Sequence, residues 1–244
     1  MSDKYRNLFN IGFMLAIGLV ASSLILGWAY TSKKAGDEAV TVTGSAKKRI
    51  KSDLVVWSSS VSYRAPELSS AYKRLSEDVP KIKKYLIGKG VKEDQITVSA
   101  ISSQTLTGRD ENGMSTSEIT GYSLGQEVIV RSNQVDLISK IAREATELIN
   151  QDILIESSAP RYYYTELGDM KIEMLGEAAK DARLRAERIA ASTGNNIGTI
   201  RSARMGVMQI TAADSTEVSD YGINDTSSID KDLTAVVNIS FAVN

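Results

Sequence analysis

The 244-residue sequence predicts an α+β protein. An N-terminal transmembrane helix leads into a body of two strand-helix-strand-strand units joined by a helix, with mainly antiparallel sheets and helices on one face. Three observations lead to that reading. No Asp, Glu, Lys or Arg occurs from Asn7 to Ser32, and Leu8 to Tyr30 form an apolar run of 23 residues. Several later segments alternate apolar and polar residues with the period of two that turns one strand face inward and the other outward. The order strand, helix, strand, strand over residues 53–131 then recurs over 153–243.

At about 1.5 Å per residue the apolar run spans about 35 Å, enough for a hydrocarbon core of about 30 Å. Tyr5 and Phe9 at one end, with Trp28 and Tyr30 at the other, suit the two interfaces. A cleaved signal peptide has a shorter apolar stretch and a small-residue cleavage site, and Trp28-Ala29-Tyr30-Thr31-Ser32-Lys33 offers none. The run therefore reads as an uncleaved anchor in contact with the lipid bilayer through residues 8–30. Gly12, Ala16, Gly18 and Ser22 give the four-residue spacing of small side chains that lets membrane helices approach closely. Lys4 and Arg6 flank one end and Lys33 and Lys34 the other, which leans only slightly to a cytoplasmic N-terminus. The predicted organisation is a tail over 1–7, the span over 8–30, a linker over 31–39 and a body over 40–243, with its halves near 40–131 and 153–243.

In the body, Val40-Thr41-Val42-Thr43 alternates as a strand that should stop at Gly44. The next strand runs from about Asp53 to Arg64, with Val55, Trp57, Val61 and Tyr63 on one face and Ser58, Ser60 and Ser62 on the other. Pro66 and Glu67 open a helix whose apolar stripe runs from Leu68 and Tyr72 through Leu75, Val79 and Ile82 to Leu86; Pro80 predicts a kink or interruption. A strand from Ile96 turns through the polar loop 107–113 and returns through Tyr122, Leu124, Val128 and Val130. A joining helix at 134–149 and a short strand at 153–155 follow. The longest helix, Glu166 to Gly194, carries Met170, Met174, Ala178, Ala182, Ala186, Ile189 and Ala190 on one stripe, and so many alanines imply close approach to a sheet. Strands at 197–210 and 233–243 close the chain, separated by a polar connection at 211–232 that is too long for a simple turn.

Composition narrows the chemistry. The chain has no His and no Cys, which excludes Ser-His-Asp triads, Cys nucleophiles, disulfides and ordinary Zn ligation. Residues 1–34 hold four cations and one acid, leaving 25 basic and 29 acidic residues, net −4, over 35–244. A mildly acidic body without a basic stripe is a poor nucleic-acid binder. No catalytic residue, cofactor site or metal site is expected. The acids Asp214, Glu217, Asp220, Asp225, Asp230 and Asp232 lack the spacing of a Ca²⁺ loop. Glu173, Glu177 and Asp181 read as partners in helix ion pairs with Lys180, Arg183 and Arg185. The interface or ligand candidates are Tyr162, Tyr163 and Tyr164, the basic-apolar segment with Arg201, Arg204, Met205 and Met208, and Tyr221 in the long connection.

Five pieces in order resemble the SIMPL-domain family of bacterial extracytoplasmic proteins, which includes a periplasmic immunogenic protein. They are Val40-Thr41-Val42-Thr43-Gly44 followed by Asp53, Gly90 to Thr97, Gly121-Tyr122, the Ala-rich helix 178–198 and the closing Val-rich strand. Ala46 and Ser52 stand where the family pattern has glycine and proline. The resemblance implies a body outside the bacterial cytoplasmic membrane, with some members assembling into large hollow rings and with links to envelope integrity and oxidative stress, and it supplies no catalytic residues to carry over. The expectation is a single-pass structural protein forming a ring- or cage-like homo-oligomer. The alternative is a ligand- or partner-binding signalling module that uses Tyr162–Tyr164 and the 211–232 loop.

Overall fold

A computed structural model of the chain describes residues 13–27 and 38–244. Residues 13–27 are helical (α1). The body contains β1 (Ala39–Lys51), β2 (Leu54–Ala65), α2 (Leu68–Gly88), β3 (Ile96–Val98), β4 (Ser102–Arg109), β5 (Ser115–Ser132), α3 (Val135–Glu144), β6 (Ile155–Ser157), β7 (Arg161–Tyr163), α4 (Leu167–Ser192), β8 (Ile197–Met205), β9 (Gln209–Ala212) and β10 (Asp230–Val243). The α+β class stands, with antiparallel sheets. Among the described residues no helix is long and apolar enough to cross a membrane. The rest of the predicted span, with Gly12, lies outside the described residues.

The chain divides into two compact units. One contains the described residues up to Ala46 with Glu173–Gly206 and Ala235–Asn244, the other Lys47–Ile172 and Val207–Thr234. The units do not follow the halves near 40–131 and 153–243, because β1 and β10 each contribute residues to both.

The larger unit is built on a sheet of order β3-β5-β2-β6, with β4 also on β5 and β7 also on β2. Val55, Trp57, Val61 and Tyr63 are buried, and α2 and α3 cover that face. Ser58, Ser60 and Ser62 lie on the opposite, more open face. Helix α2 buries Ala71, Leu75, Val79, Ile82 and Leu86, whereas Leu68 and Tyr72 in its first turns are exposed. Pro80 does not interrupt it: the helix runs on to Gly88. A ring there removes one backbone donor, and buried Val79 and Ile82 on either side hold the turn. Gly121 is explained by contact, since a Cβ there would lie 2.7 Å from the Ala65 carbonyl oxygen, where β2 leaves the sheet toward α2. Ser52 donates its amide to Ile229 O at 2.8 Å, a bond that a proline there would lack. The short strand expected at 153–155 starts at Ile155, because Asp152 takes a left-handed conformation (φ 61) and Ile153 is fully buried.

Strands β1, β10 and β8 form the sheet of the smaller unit, in that order. Helix α4 buries Met174, Ala178, Ala182, Ala186 and Ala190, a stripe repeating every four residues. Ile189 is exposed instead. The alanines bring the helix against β1 so closely that a Cβ on Gly44 would sit 2.2 Å from Ala178 O. Gly44 therefore does not stop the strand, and β1 continues through it to Lys51. The expected strand 197–210 is two strands. Gly206 donates its amide to Val236 O at 2.8 Å and the ladder breaks there, so β8 and β9 pair with different stretches of β10.

Candidate assembly surface

The sequence candidates separate into side chains consumed by the fold and side chains left at the surface. Tyr162 is consumed. It is buried, its hydroxyl lies 2.9 Å from Ser139 Oγ, and its amide donates to Thr226 O at 2.8 Å. Tyr163 is half-buried and pairs with Leu54. The hydroxyl of Tyr164, also half-buried, points to Glu166 at 3.5 Å. A strand sends neighbouring side chains to opposite faces, so β7 separates Tyr162 from Tyr163, and Tyr164 follows the last residue of the strand.

The 211–232 connection is braced rather than loose. Asp225 accepts from Ser227 N at 2.9 Å, Ser227 Oγ at 2.6 Å and Ser228 N at 3.2 Å. Lys231, 2% exposed, sends its ammonium to the Asp225 carbonyl and carboxylate. Asp232, 1% exposed, accepts from Arg49 Nε at 3.0 Å, from Lys47 Nζ at 2.9 Å and from Asp214 N at 2.8 Å. Arg49 also reaches Asp214. The segment 223–225 lies beside β9, with Ile210 N on Ile223 O and Asp225 N on Ile210 O, both at 2.8 Å. Val218 (83% exposed) and Tyr221 (97%) remain outside this bracing.

These contacts set the charge states. Hydrogen bonds from Arg49 and then Lys47 hold the Asp232 carboxyl far below the usual range. Burial alone would raise Asp225, but Ser227, Ser228 and Lys231 outweigh it and hold that carboxyl well below the usual range as well. The Tyr63 hydroxyl is pushed up to about 12 by burial and by its hydrogen bond to Asp78. Sequence reasoning missed the Tyr63–Asp78 pair, although Asp78, three residues after Leu75 and four before Ile82, falls on the buried stripe of α2. Its burial follows from Lys81 bonding it at 2.7 Å and Arg74 covering the Tyr63 ring at 4.9 Å.

A pH prediction follows from the two aspartates. An unfolded Asp titrates near 3.9, and both folded values lie lower. Between those values the unfolded chain binds more protons, so stability rises with pH there. The contribution is complete above about pH 5 and is lost progressively as pH falls below about 4. Urea midpoints are expected to be flat from pH 8 to 5.5 and to fall steeply from 4 to 2.5, and Asp232→Asn flattens the steep part. A wild-type midpoint insensitive to acid contradicts this account.

No three His, Cys, Asp or Glu side chains converge to hold a metal ion among the described residues. Glu177 and Asp181 of α4 are engaged in helix pairs and a loop bond. Glu177 pairs with Lys180 at 2.7 Å, and Asp181 accepts from Arg185 at 2.8 Å and from Ser45 N at 2.8 Å.

What is left open is β8. It lies at the end of the sheet order β1-β10-β8, and every residue from Thr199 to Met205 is exposed. Ile200 is 59% and Met205 65% exposed. Arg201 and Arg204 make no ion pair among the described residues. Met208, on the far side of the ladder break, is half-buried. A groove of about 360 Å³ runs between α4 and β8, lined by Gly176, Ala179, Ile200, Ile239 and Phe241, with Lys180 and Arg183 at its rim. Small side chains on α4 create it, because Gly176 and Ala179 leave the β8 half of the sheet uncovered. An edge strand with unpaired backbone groups, apolar side chains and free cations is a template for pairing or docking. In α1, Ala16, Gly18 and Ser22 lie on an exposed helix, where Ser22 Oγ bonds back to Leu19 O at 2.9 Å.

No curated protein matches the chain. A family profile does: SIMPL, described as a protein of unknown function (DUF541), matches residues 40–241. The body built on these two sheets therefore belongs to the SIMPL family.

Proposed function

We propose that the chain is a single-pass membrane protein whose body lies outside the bacterial cytoplasmic membrane and self-assembles into a large ring- or cage-like homo-oligomer that supports envelope integrity. The N-terminus is then cytoplasmic and residues 8–30 form the anchor. The observation that carries the reading is β8, whose edge is unpaired while Ile200 and Met205 face outward. The ionic clusters of the body add to it, since Asp232, Asp225 and Asp78 are each tied into internal contacts and work as braces. Many anchored subunits hold a membrane strongly even when each contact is weak. Mass photometry of detergent-solubilised chain is expected to show a narrow population of high-order particles. A second reading, a monomeric partner-binding module, is favoured by the exposed Val218 and Tyr221 on a braced segment. It predicts a monomer mass at every concentration, and that result overturns assembly.

A further inference from the structure

The β4–β5 hairpin is a second surface that the fold does not cover. From Ser102 to Thr120 almost every residue of the two strands is exposed, including Met114 (64%) at the turn and Ile119 (57%). The tip is nonetheless ordered. Asp110 N donates to Met114 O at 2.9 Å, and Asp110 Oδ1 accepts the amides of Asn112 and Met114, both at 2.9 Å. Its charge is lopsided: Asp110, Glu111 and Glu118 stand against Arg109 alone. Glu111 and Glu118 have no cation within ion-pair distance among the described residues.

The β8 edge is the converse surface. It carries no acid and two cations that make no ion pair among the described residues, Arg201 and Arg204; the apolar groove lies on the α4 face of the strand, while Arg204, opposite Asn238, projects from the other face, so the edge is flanked on both sides. We propose that the hairpin tip of one copy docks on the β8 edge of the next, with Met114 entering the groove floored by Ile239 and Phe241 and with Glu111 and Glu118 meeting Arg201 and Arg204. The inference rests on the assembly reading above and names the two faces that meet. An unbranched thioether side chain adapts to a shallow apolar groove more readily than a branched one. Opposed unpaired charges fix the register and raise the encounter rate. The two faces differ, so the contact is head-to-tail, the kind of interface that closes a ring when the rotation per subunit permits it.

The test uses full-length chain in detergent. Glu111→Lys with Glu118→Lys, and separately Arg201→Glu with Arg204→Glu, is expected to raise the concentration of half-assembly about tenfold or more, since like charges then face one another. All four changes together restore assembly to near the wild-type concentration. These side chains are exposed and make no ion pair, so thermal midpoints are expected to stay unchanged and a folding defect is separable from an interface defect. The absence of Cys provides a second readout. Met114→Cys combined with Ile200→Cys, mildly oxidised, gives a ladder of disulfide-linked multimers on a non-reducing gel, whereas either change alone gives none. A wild-type chain that is a monomer throughout defeats the assembly reading itself. A wild-type oligomer indifferent to both reversals, reversals that do not rescue each other, or an oligomer without the ladder overturns this docking while assembly stands.

Discussion

Asp225→Ala is expected to destabilise the body by about 3–5 kcal/mol, the typical cost of leaving a buried charge without its partner. Lys231 is only 2% exposed, and its two acceptors are the carbonyl and the carboxylate of Asp225. Burial already pushes the Lys231 ammonium below its ordinary pKa, with Asp225 opposing the shift. Removing the carboxylate takes away that opposition along with the bonds to Ser227 and Ser228, so the segment that packs against β9 loses its tie at the same moment. Most domains have about 5–15 kcal/mol in total, so this single change consumes a large share. The double variant Asp225→Ala with Lys231→Met removes both members of the pair and is expected to recover more than half of the loss, because an apolar side chain in that site no longer demands a counter-charge. Asp225→Asn falls between, keeping an acceptor for Ser227 without the charge. Urea unfolding followed by tryptophan fluorescence measures all three, since Trp57 is 1% exposed in the same unit. A single variant within about 1 kcal/mol of wild type, the scale of an ordinary surface pair, shows that the pair is not structural.

That pair also marks the limit of what was legible in the sequence. Local periodicity was enough for β2, whose faces alternate as Val55, Trp57, Val61 and Tyr63 against the serines, and for the alanine stripe of α4. Those signals lie within one element. Lys231 and Asp232 are consecutive, so a strand sends them to opposite faces, and both are buried only because other segments cover both sides of β10. Those segments come from residues near 47, 214 and 225, and no spacing rule links them. Likewise the three tyrosines read as a cluster in one dimension, and the strand separates Tyr162 from Tyr163. The basic-apolar segment from Arg201 to Ile210 reads as a strand edge facing another subunit; an edge is observed only as far as Met205 in β8, and its partner is the subject of the charge-reversal test. The break between β8 and β9 was invisible, since the segment alternates through Gly206 without an obvious stop.

Gly44→Ala shows the same point from the opposite direction, because a glycine that reads as a strand end is a contact. An added Cβ would lie 2.2 Å from Ala178 O, 2.4 Å from Ala182 N and 2.6 Å from Ala182 Cβ. The first two are backbone atoms of α4, which cannot rotate aside, so the helix must lift from β1 or the strand must bend. Lifting opens the Ala178, Ala182 and Ala186 stripe, which is fully buried, and lengthens the 2.8 Å bond from Ser45 N to Asp181. Overpacking a core typically costs about 1–3 kcal/mol, and with no side chain free to yield, the expected loss is about 3 kcal/mol or more. Side-chain crowding and backbone collision give different predictions for a second substitution. If crowding by Ala182 were the cause, Ala182→Gly would rescue Gly44→Ala. The clash with Ala178 O and Ala182 N remains when Ala182 is shortened, and a glycine inside a helix costs about 1 kcal/mol more. The double variant is therefore expected to be less stable than Gly44→Ala alone, as measured by urea midpoints. Rescue would show that the helix backbone does not press on β1 at Gly44.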